Sequence, residues 1–553
     1  MSPSLLSPTW QDFVAQKRQE CQDKLPREWK LSEATLKAVP QHLLEYDLPR
    51  RSGLLTEEEL DVTENYTATE LLAKLASGQV TSLSVTTAFS KRAAIAQQVT
   101  SCLTETFFPA ALDRARYLDE YLQRERKPLG PLHGLPVSIK DCFCVKGLQS
   151  TVGYVSCLNT PPSTTESALV TQLLELGAVL YVKTNVPQTM MTADSENNIF
   201  GRTLNPHNTS LTAGGSSGGE GALVAFRGSI LGVGTDIAGS IRIPSLCCGV
   251  YGFKPTANRV PYGGQFCGAM EGLPGPIACA GPLGHSLADI KLFMDVVVGD
   301  GSAWKYDASA FAVPWNKSIT LGSTQNGSLN IGVLSEDSHF PLHPPVRRAL
   351  KRAVDALTQA GHRVIQIDND TKDDLSVAYA SRLAFQYFTY PPHEDLIEPS
   401  GEPPVTSVAK QSSPMFTGPL PVEQEKEPYH KINDLHEARE KYADSWRREW
   451  VTKKLDVILA PGAQNTAVAH DTYGWPPYTV MWNLLDYPAC IIPYGAASQE
   501  LDDEEFKTGD DVQPDYHPSE VHGAPCAIQV ITPRFQDEQC LAAAELIEQA
   551  LRK

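Results

Sequence analysis

Basic residues are in short supply: 47 Lys and Arg stand against 65 Asp and Glu, a net charge of −18. Such a balance lacks the cationic footprint that nucleic acid or an anionic membrane needs, so neither is expected as a partner. Long apolar runs are missing as well. No stretch approaches the ~18 uncharged apolar residues of a membrane span, and the first residues turn polar too early for the apolar core of a signal peptide. No membrane anchor is therefore expected, and the cytoplasm is the default location. Cysteines are sparse, 12 in 553, and neither Cys142 with Cys144 nor Cys247 with Cys248 has metal-finger or redox spacing. They read as reduced, mostly buried thiols with no metal site. With 42% hydrophobic and 20% charged residues, the chain is too apolar for disorder and long enough to bury a sizeable core.

Residues 10 to about 50 read as a helical, charge-rich lead-in anchored by Trp10, Phe13, Trp29 and Leu31. Thr67 and Glu70 have the spacing of a capping box, and Leu71, Leu72 and Leu75 follow at helical intervals. A second helix is expected from about Ser82, with Val85, Phe89, Ala93 and Ala96 on one face. From residue 130 short β-branched runs (Leu135–Ile139, Ala178–Lys183, Ile230–Val233, Leu329–Val333, Val364–Ile367, Val457–Leu459, Ala489–Pro493) alternate with amphipathic stretches such as Ser167–Leu176 and Val346–Ala360. Alternation of that kind predicts an α/β fold: a mixed, mostly parallel β-sheet core covered by helices on both faces. The domain reading is an N-terminal helical arm over 1–65 and one large domain over 66–553. Composition marks two loop insertions, a Pro-rich run at about 390–428 and an acidic stretch at 498–515, for which a substrate lid is one reading.

Three segments carry chemistry. Residues 213–222 place two glycines on each side of Ser216 and Ser217 directly before an apolar helix, so the backbone can turn tightly and aim amides and Ser216 at one point. A phosphate loop is the competitor, but the Lys-Ser/Thr ending it needs is missing. Residues 234–244 leave an apolar run and bring Ser240 to the end of a strand, where the amides of Ile237, Ala238, Gly239 and Ser240 can converge on a developing oxyanion. That makes Ser240 a candidate nucleophile, with a strand-to-loop corner as the bland alternative; Asp236 and Arg242 read as a structural ion pair holding the loop. The third segment, residues 130–141, ends a strand on Lys140. Burial disfavours an ammonium, so a lysine carried into a closed site can supply the base that serine needs. Asp141 offers a salt bridge that would keep Lys140 charged, and His133 is a rival base without the order or elbow of a Ser-His-Asp site.

Together these segments resemble the amidase signature family. The likeness rests on residues 184–190, 200–206, 214–223 and 234–244, continues through 252–256, and includes a serine-to-serine distance of 240 − 216 = 24. It is strong over about 66 to 300, with the signature core at about 130–300, and weaker at 485–489. The resemblance implies Lys140 as base, Ser216 as bridging serine after a cis Gly215–Ser216 peptide, Ser240 as acyl-forming nucleophile, Ser217 as a hydrogen-bonding support, and Met190 with Met191 lining the acyl pocket. The family's oxyanion loop usually reads Ile-Gly-Gly-Ser; Ala238 stands at the middle position here, strained if that position needs a positive φ.

The implied reaction is acyl transfer by a Ser-Ser-Lys triad through an acyl-enzyme, without metal or organic cofactor. The frame is similar to the fungal acetamidase branch of the family, which implies small monocarboxylic amides as substrates, ammonia or amine as the leaving group, and a homodimer as a family-level expectation. The rival enzyme reading is a secondary-metabolite or aryl amide or ester hydrolase with a larger pocket. The rival from another class is a catalytically silent scaffold of the same fold.

Overall fold

The computed structural model describes residues 8–266, 275–319, 321, 328–370, 373–389, 396–411, 420–423, 425–508 and 513–552. Much of the Pro-rich run and residues 509–512 of the acidic stretch therefore lie outside the described residues. Among the described residues thirteen strands follow in chain order: β1 Leu103–Thr106, β2 Pro136–Lys140, β3 Val179–Thr184, β4 Glu196–Asn197, β5 Gly201–Arg202, β6 Leu231–Asp236, β7 Tyr251–Lys254, β8 Cys279–Gly284, β9 Asn330–Leu334, β10 Arg363–Ile367, β11 Val457–Pro461, β12 Ala489–Ala496 and β13 Pro525–Ile531. β4 and β5 pair only with each other, and the other eleven form one sheet in the order β1-β3-β2-β6-β8-β7-β12-β13-β11-β9-β10.

The sheet is mixed. Parallel pairing is concentrated in two groups, β3-β2-β6 and β11-β9-β10. Between them β6-β8-β7-β12-β13-β11 run antiparallel, and β1 closes the other edge antiparallel to β3. The expected predominance of parallel pairing thus holds within the two groups and not across the middle. Alternating runs reveal strands but not their neighbours, and β7 and β8 carry Gly and Pro instead of a β-branched run. β2, β3, β6 and β11 are buried at every position, so both of their faces are covered.

The lead-in is helical over Trp10–Lys24, and Lys17 and Lys24 both pair with Glu105 on β1, tying that helix to the sheet edge. The capping box forms: Glu70 N donates to Thr67 Oγ1 (3.2 Å) and Thr67 N to Glu70 Oε2 (2.8 Å), opening the helix Ala68–Ser77. The next helix spans Ser82–Thr100, with Val85, Phe89, Ala93 and Ala96 buried as the spacing predicts. Among the described residues every cysteine is a free thiol, and most are buried. Among them also, no helix is long and apolar enough to cross a membrane.

Candidate active site

Three neighbouring parallel strands and one helix converge at the C-terminal edge of the β3-β2-β6 group. Lys140 is the last residue of β2, and Thr184, the last of β3, is its ladder partner. Ser216 and Ser217 lead into the helix Gly218–Ala225, and Thr235 and Asp236 end β6. Lys140 is fully buried, its Nζ 2.7 Å from Ser216 Oγ and 2.9 Å from Thr235 Oγ1. Ser216 is 3% exposed and Ser240 8%. The Gly215–Ser216 peptide is cis. At Gly215 any Cβ would run into the carbonyl of Thr192, so the approach admits only glycine. Ser217 joins the two serine segments: its N–H donates to Ser240 O (3.2 Å), its hydroxyl to Thr235 O (3.3 Å), and it accepts from Thr235 N (3.3 Å).

The loop after β6 is organised by Asp236. Its carboxylate accepts from Gly239 N (2.9 Å), Ile241 N (3.1 Å) and Arg242 N (3.4 Å), while Arg242 Nε (3.1 Å) and Nη2 (3.0 Å) complete a fully buried ion pair. Asn483 Nδ2 adds a further bond at 2.8 Å. Burial alone would raise the Asp236 carboxyl, but the Arg242 charge, its hydrogen bonds and that of Asn483 hold it down at about 2. Gly239 departs from the expectation of four amides aimed at one oxyanion, because its N–H is turned onto Asp236. The N–H groups of Ile237, Ala238 and Ser240 find no acceptor among the described residues. Ala238 has no positive φ; that conformation falls on Gly239, at +133°. A Cβ at Gly239 would collide with the side chain of Thr479, whose hydroxyl donates to Ala238 O (2.6 Å). Gly239→Ala is therefore expected to cost about 1–3 kcal/mol in backbone strain and to displace the loop, read as a lower melting temperature with a larger proportional loss of turnover.

Asp141, the expected salt-bridge partner, and His133, the rival base, each have other partners. Asp141 accepts from Thr104 Oγ1 (2.7 Å), Thr151 N (3.0 Å) and Val152 N (2.8 Å) and pairs with Lys183 (3.3 Å). His133 precedes the opposite end of β2, where its Nδ1 accepts from Leu129 N (3.0 Å), and burial lowers its pKa. Met190 lies in a tight turn with φ +55°, partly buried against the core, while Met191 is 37% exposed.

An amidase family model matches residues 84–541. The chain belongs to the amidase signature family. Over 98% of its length it is 41% identical to an amidase of Gibberella moniliformis, covering 99% of that protein, and 40% identical to an acetamidase of Emericella nidulans, covering 98% of it. Among solved structures it is similar to a fatty acid amide hydrolase with a TM-score of 0.85 and 31% identity, over 98% of this chain and 95% of that one. As an amidase, it is a hydrolase of the C–N bonds of amides.

Several residues of this amidase's site carry no signal in the sequence read alone. Thr235 sits beside the lysine amine although nothing but its place at a strand end marks it. Ser195 Oγ donates to Gly214 O (2.9 Å) and accepts from Gly218 N (3.1 Å), bracing the glycine-rich turn from 20 residues upstream. Ala238 packs in an apolar cluster with Ala384, Trp475, Val480, Phe385 and Phe388. That wall is contributed by the helices Val377–Phe388 and Pro477–Leu485 and by Trp475 just before the second of them, far from the signature in sequence.

Proposed function

We propose that this amidase hydrolyses small monocarboxylic amides to a carboxylate and ammonia by a Ser-Ser-Lys triad. The observation that carries the reading is the 2.7 Å approach of Lys140 Nζ to Ser216 Oγ between two buried side chains, with Ser217 tying that turn to the Ser240 backbone. Unprotonated Lys140 takes the proton of Ser216 as Ser216 takes that of Ser240, and Ser240 Oγ bonds the amide carbon. The amides of Ile237, Ala238 and Ser240 receive the charge that develops on the carbonyl oxygen. As the tetrahedral intermediate collapses, the C–N bond breaks and Ser216 protonates the departing amine, regaining a proton from Lys140. Water then adds to the acyl-enzyme through the same relay and releases the carboxylate. Residues 66–553 serve as the catalytic body and 1–65 as an arm on it, in keeping with the Lys17 and Lys24 contacts to Glu105. The free thiols fit a reducing, cytoplasmic setting.

A second reading of the substrate has its own support. The rings of Phe385 and Phe388 pack around Trp475 with centroids 5.8 and 6.5 Å away, in the same cluster as Ala238, so an apolar wall adjoins the loop that would hold the carbonyl. Such a wall favours an aryl or otherwise bulky acyl group. Ammonia release from acetamide, butyramide and benzamide separates the two. The small-amide reading expects the highest kcat/KM with acetamide; a reversal in favour of benzamide, lost in Phe385→Ala, assigns the larger pocket. A serine-directed fluorophosphonate that forms no adduct on Ser240 would refute the triad itself.

A further inference from the structure

Glu220 is fully buried on the first turn of the helix that follows the paired serines. Its carboxyl does not lie along the helix but reaches onto the sheet. Ser138 Oγ is hydrogen-bonded to Oε2 at 2.6 Å, and Thr184 Oγ1 donates to Oε1 at 2.8 Å. Ser138 lies two residues before Lys140 on β2, so the two side chains share one face of the sheet, and Thr184 is the ladder partner of Lys140. Glu220 itself lies four residues after Ser216, on the helix into which the serine turn leads. The sheet is cut away to receive it: a Cβ at Gly232, the β6 residue opposite Ser138, would run into the Glu220 carboxyl. A polar clamp thus spans the strand of the amine and the helix that follows the bridging hydroxyl, one step behind the pair that has to meet.

We infer that Glu220 is a positioning residue for amide hydrolysis: by clamping Ser138 and Thr184 it sets the approach of Lys140 to Ser216 and adjusts how readily the amine holds its proton. This rests on the assignment of Lys140 as base given above. The chemistry of the surroundings supports it. Burial, only partly offset by the Ser138 and Thr184 hydroxyls and by Lys140, pushes the Glu220 carboxyl up to about 8, so the neutral acid predominates at pH 7. The titratable groups facing it are Lys140 from β2, Tyr181 from β3 and Cys102 just before β1. Burial pushes the Tyr181 hydroxyl up and the Cys102 thiol up to about 12, which keeps both neutral and leaves Lys140 as the group that exchanges charge with Glu220. A proton leaving the cationic pair comes either from the amine, giving the active form, or from the carboxyl, giving an inactive ammonium–carboxylate pair. Removing the acidic proton while keeping the shape abolishes the second form and moves the onset of activity to lower pH.

The test measures the rate of fluorophosphonate labelling of Ser240 against pH, a readout independent of the substrate's identity, together with kcat and KM on acetamide. Glu220→Ala is expected to slow labelling about 10- to 100-fold, the cost of a misplaced reacting pair, with KM little changed. Glu220→Gln is expected to recover most of that loss and to shift the acid limb down by about half a pH unit or more. A role confined to folding would lower the melting temperature and leave the acid limb in place. An unshifted acid limb in Glu220→Gln overturns the inference, as does an undiminished labelling rate in Glu220→Ala; if the alanine variant does not fold, the glutamine variant decides alone. Lys140→Ala is run alongside: a labelling rate like the wild type's there sinks the base assignment, whereas a silent Lys140→Ala with an unshifted Glu220→Gln profile sinks the Glu220 inference alone.

Discussion

Replacing Lys140 by alanine is expected to lower kcat/KM on any amide substrate by about 10²–10⁴-fold, the range general base catalysis contributes, with the far-UV circular dichroism of the folded chain retained. The amine is fully buried against Ser216 and Thr235 at 2.7 and 2.9 Å, so on the proposed assignment its deletion removes the base that would take the proton relayed from Ser240. Alanine also removes the buried Cγ, Cδ and Cε methylenes, and that loss of packing destabilises on its own. Lys140→Met keeps most of the stem and discards the amine. If the amine is the base, the two variants are equally inactive and differ only in melting temperature; turnover recovered by methionine would assign Lys140 to packing instead. The pH dependence follows from the same role. An amine acts as a base only when unprotonated, so wild-type activity is expected to rise with pH and to fall as acid converts Lys140 to the ammonium.

Much of this site is legible in the sequence because its chemistry is local. The glycines around Ser216, the strand that ends on Lys140 and the turn that ends on Ser240 each carry their own signal, and Asp236 and Arg242 are six residues apart. What is illegible is supplied from a distance. Asn483 and Gln529, which complete the shell of Arg242 at 2.5 and 2.8 Å, lie more than 240 residues downstream, and no local pattern marks them. The apolar wall beside Ala238 is likewise assembled from residues 384–480. The strands follow the same division. β2, β3, β6 and β9 to β12 rest on short β-branched or apolar runs and appear within a few residues of their expected places. β8 contains Gly281, Pro282 and Gly284, residue types that strands disfavour; tertiary packing overrides that preference, since a Cβ at Gly281 would meet the carbonyl of Phe253 on β7. Glu220 is visible as part of the glycine-rich motif, but its role depends on Ser138 and Thr184, which only the sheet brings together.

The second large effect is expected at Asp236, where one carboxylate serves both stability and loop shape. Asp236→Ala leaves the Arg242 guanidinium fully buried without its anion, and breaking a buried pair in this way costs about 3–5 kcal/mol. It also removes the acceptor of the Gly239, Ile241 and Arg242 amides, freeing the backbone that carries Ser240. The expected result is a sharply lower melting temperature together with loss of fluorophosphonate labelling. Asp236→Asn preserves the volume and one acceptor oxygen, and is expected to fall between the two in stability. The charge itself is isolated by pH. Because the folded-state carboxyl is depressed from its ordinary 3.8 to about 2, its stabilising contribution is complete above about pH 4 and is lost as pH falls toward 2. The stability gap between wild type and Asp236→Asn, measured by urea unfolding, is therefore expected to be constant from pH 7 to 5 and to narrow below pH 4. A gap that stays open down to pH 2 would mean that shape and hydrogen bonding at Asp236, not its charge, hold the loop that carries Ser240.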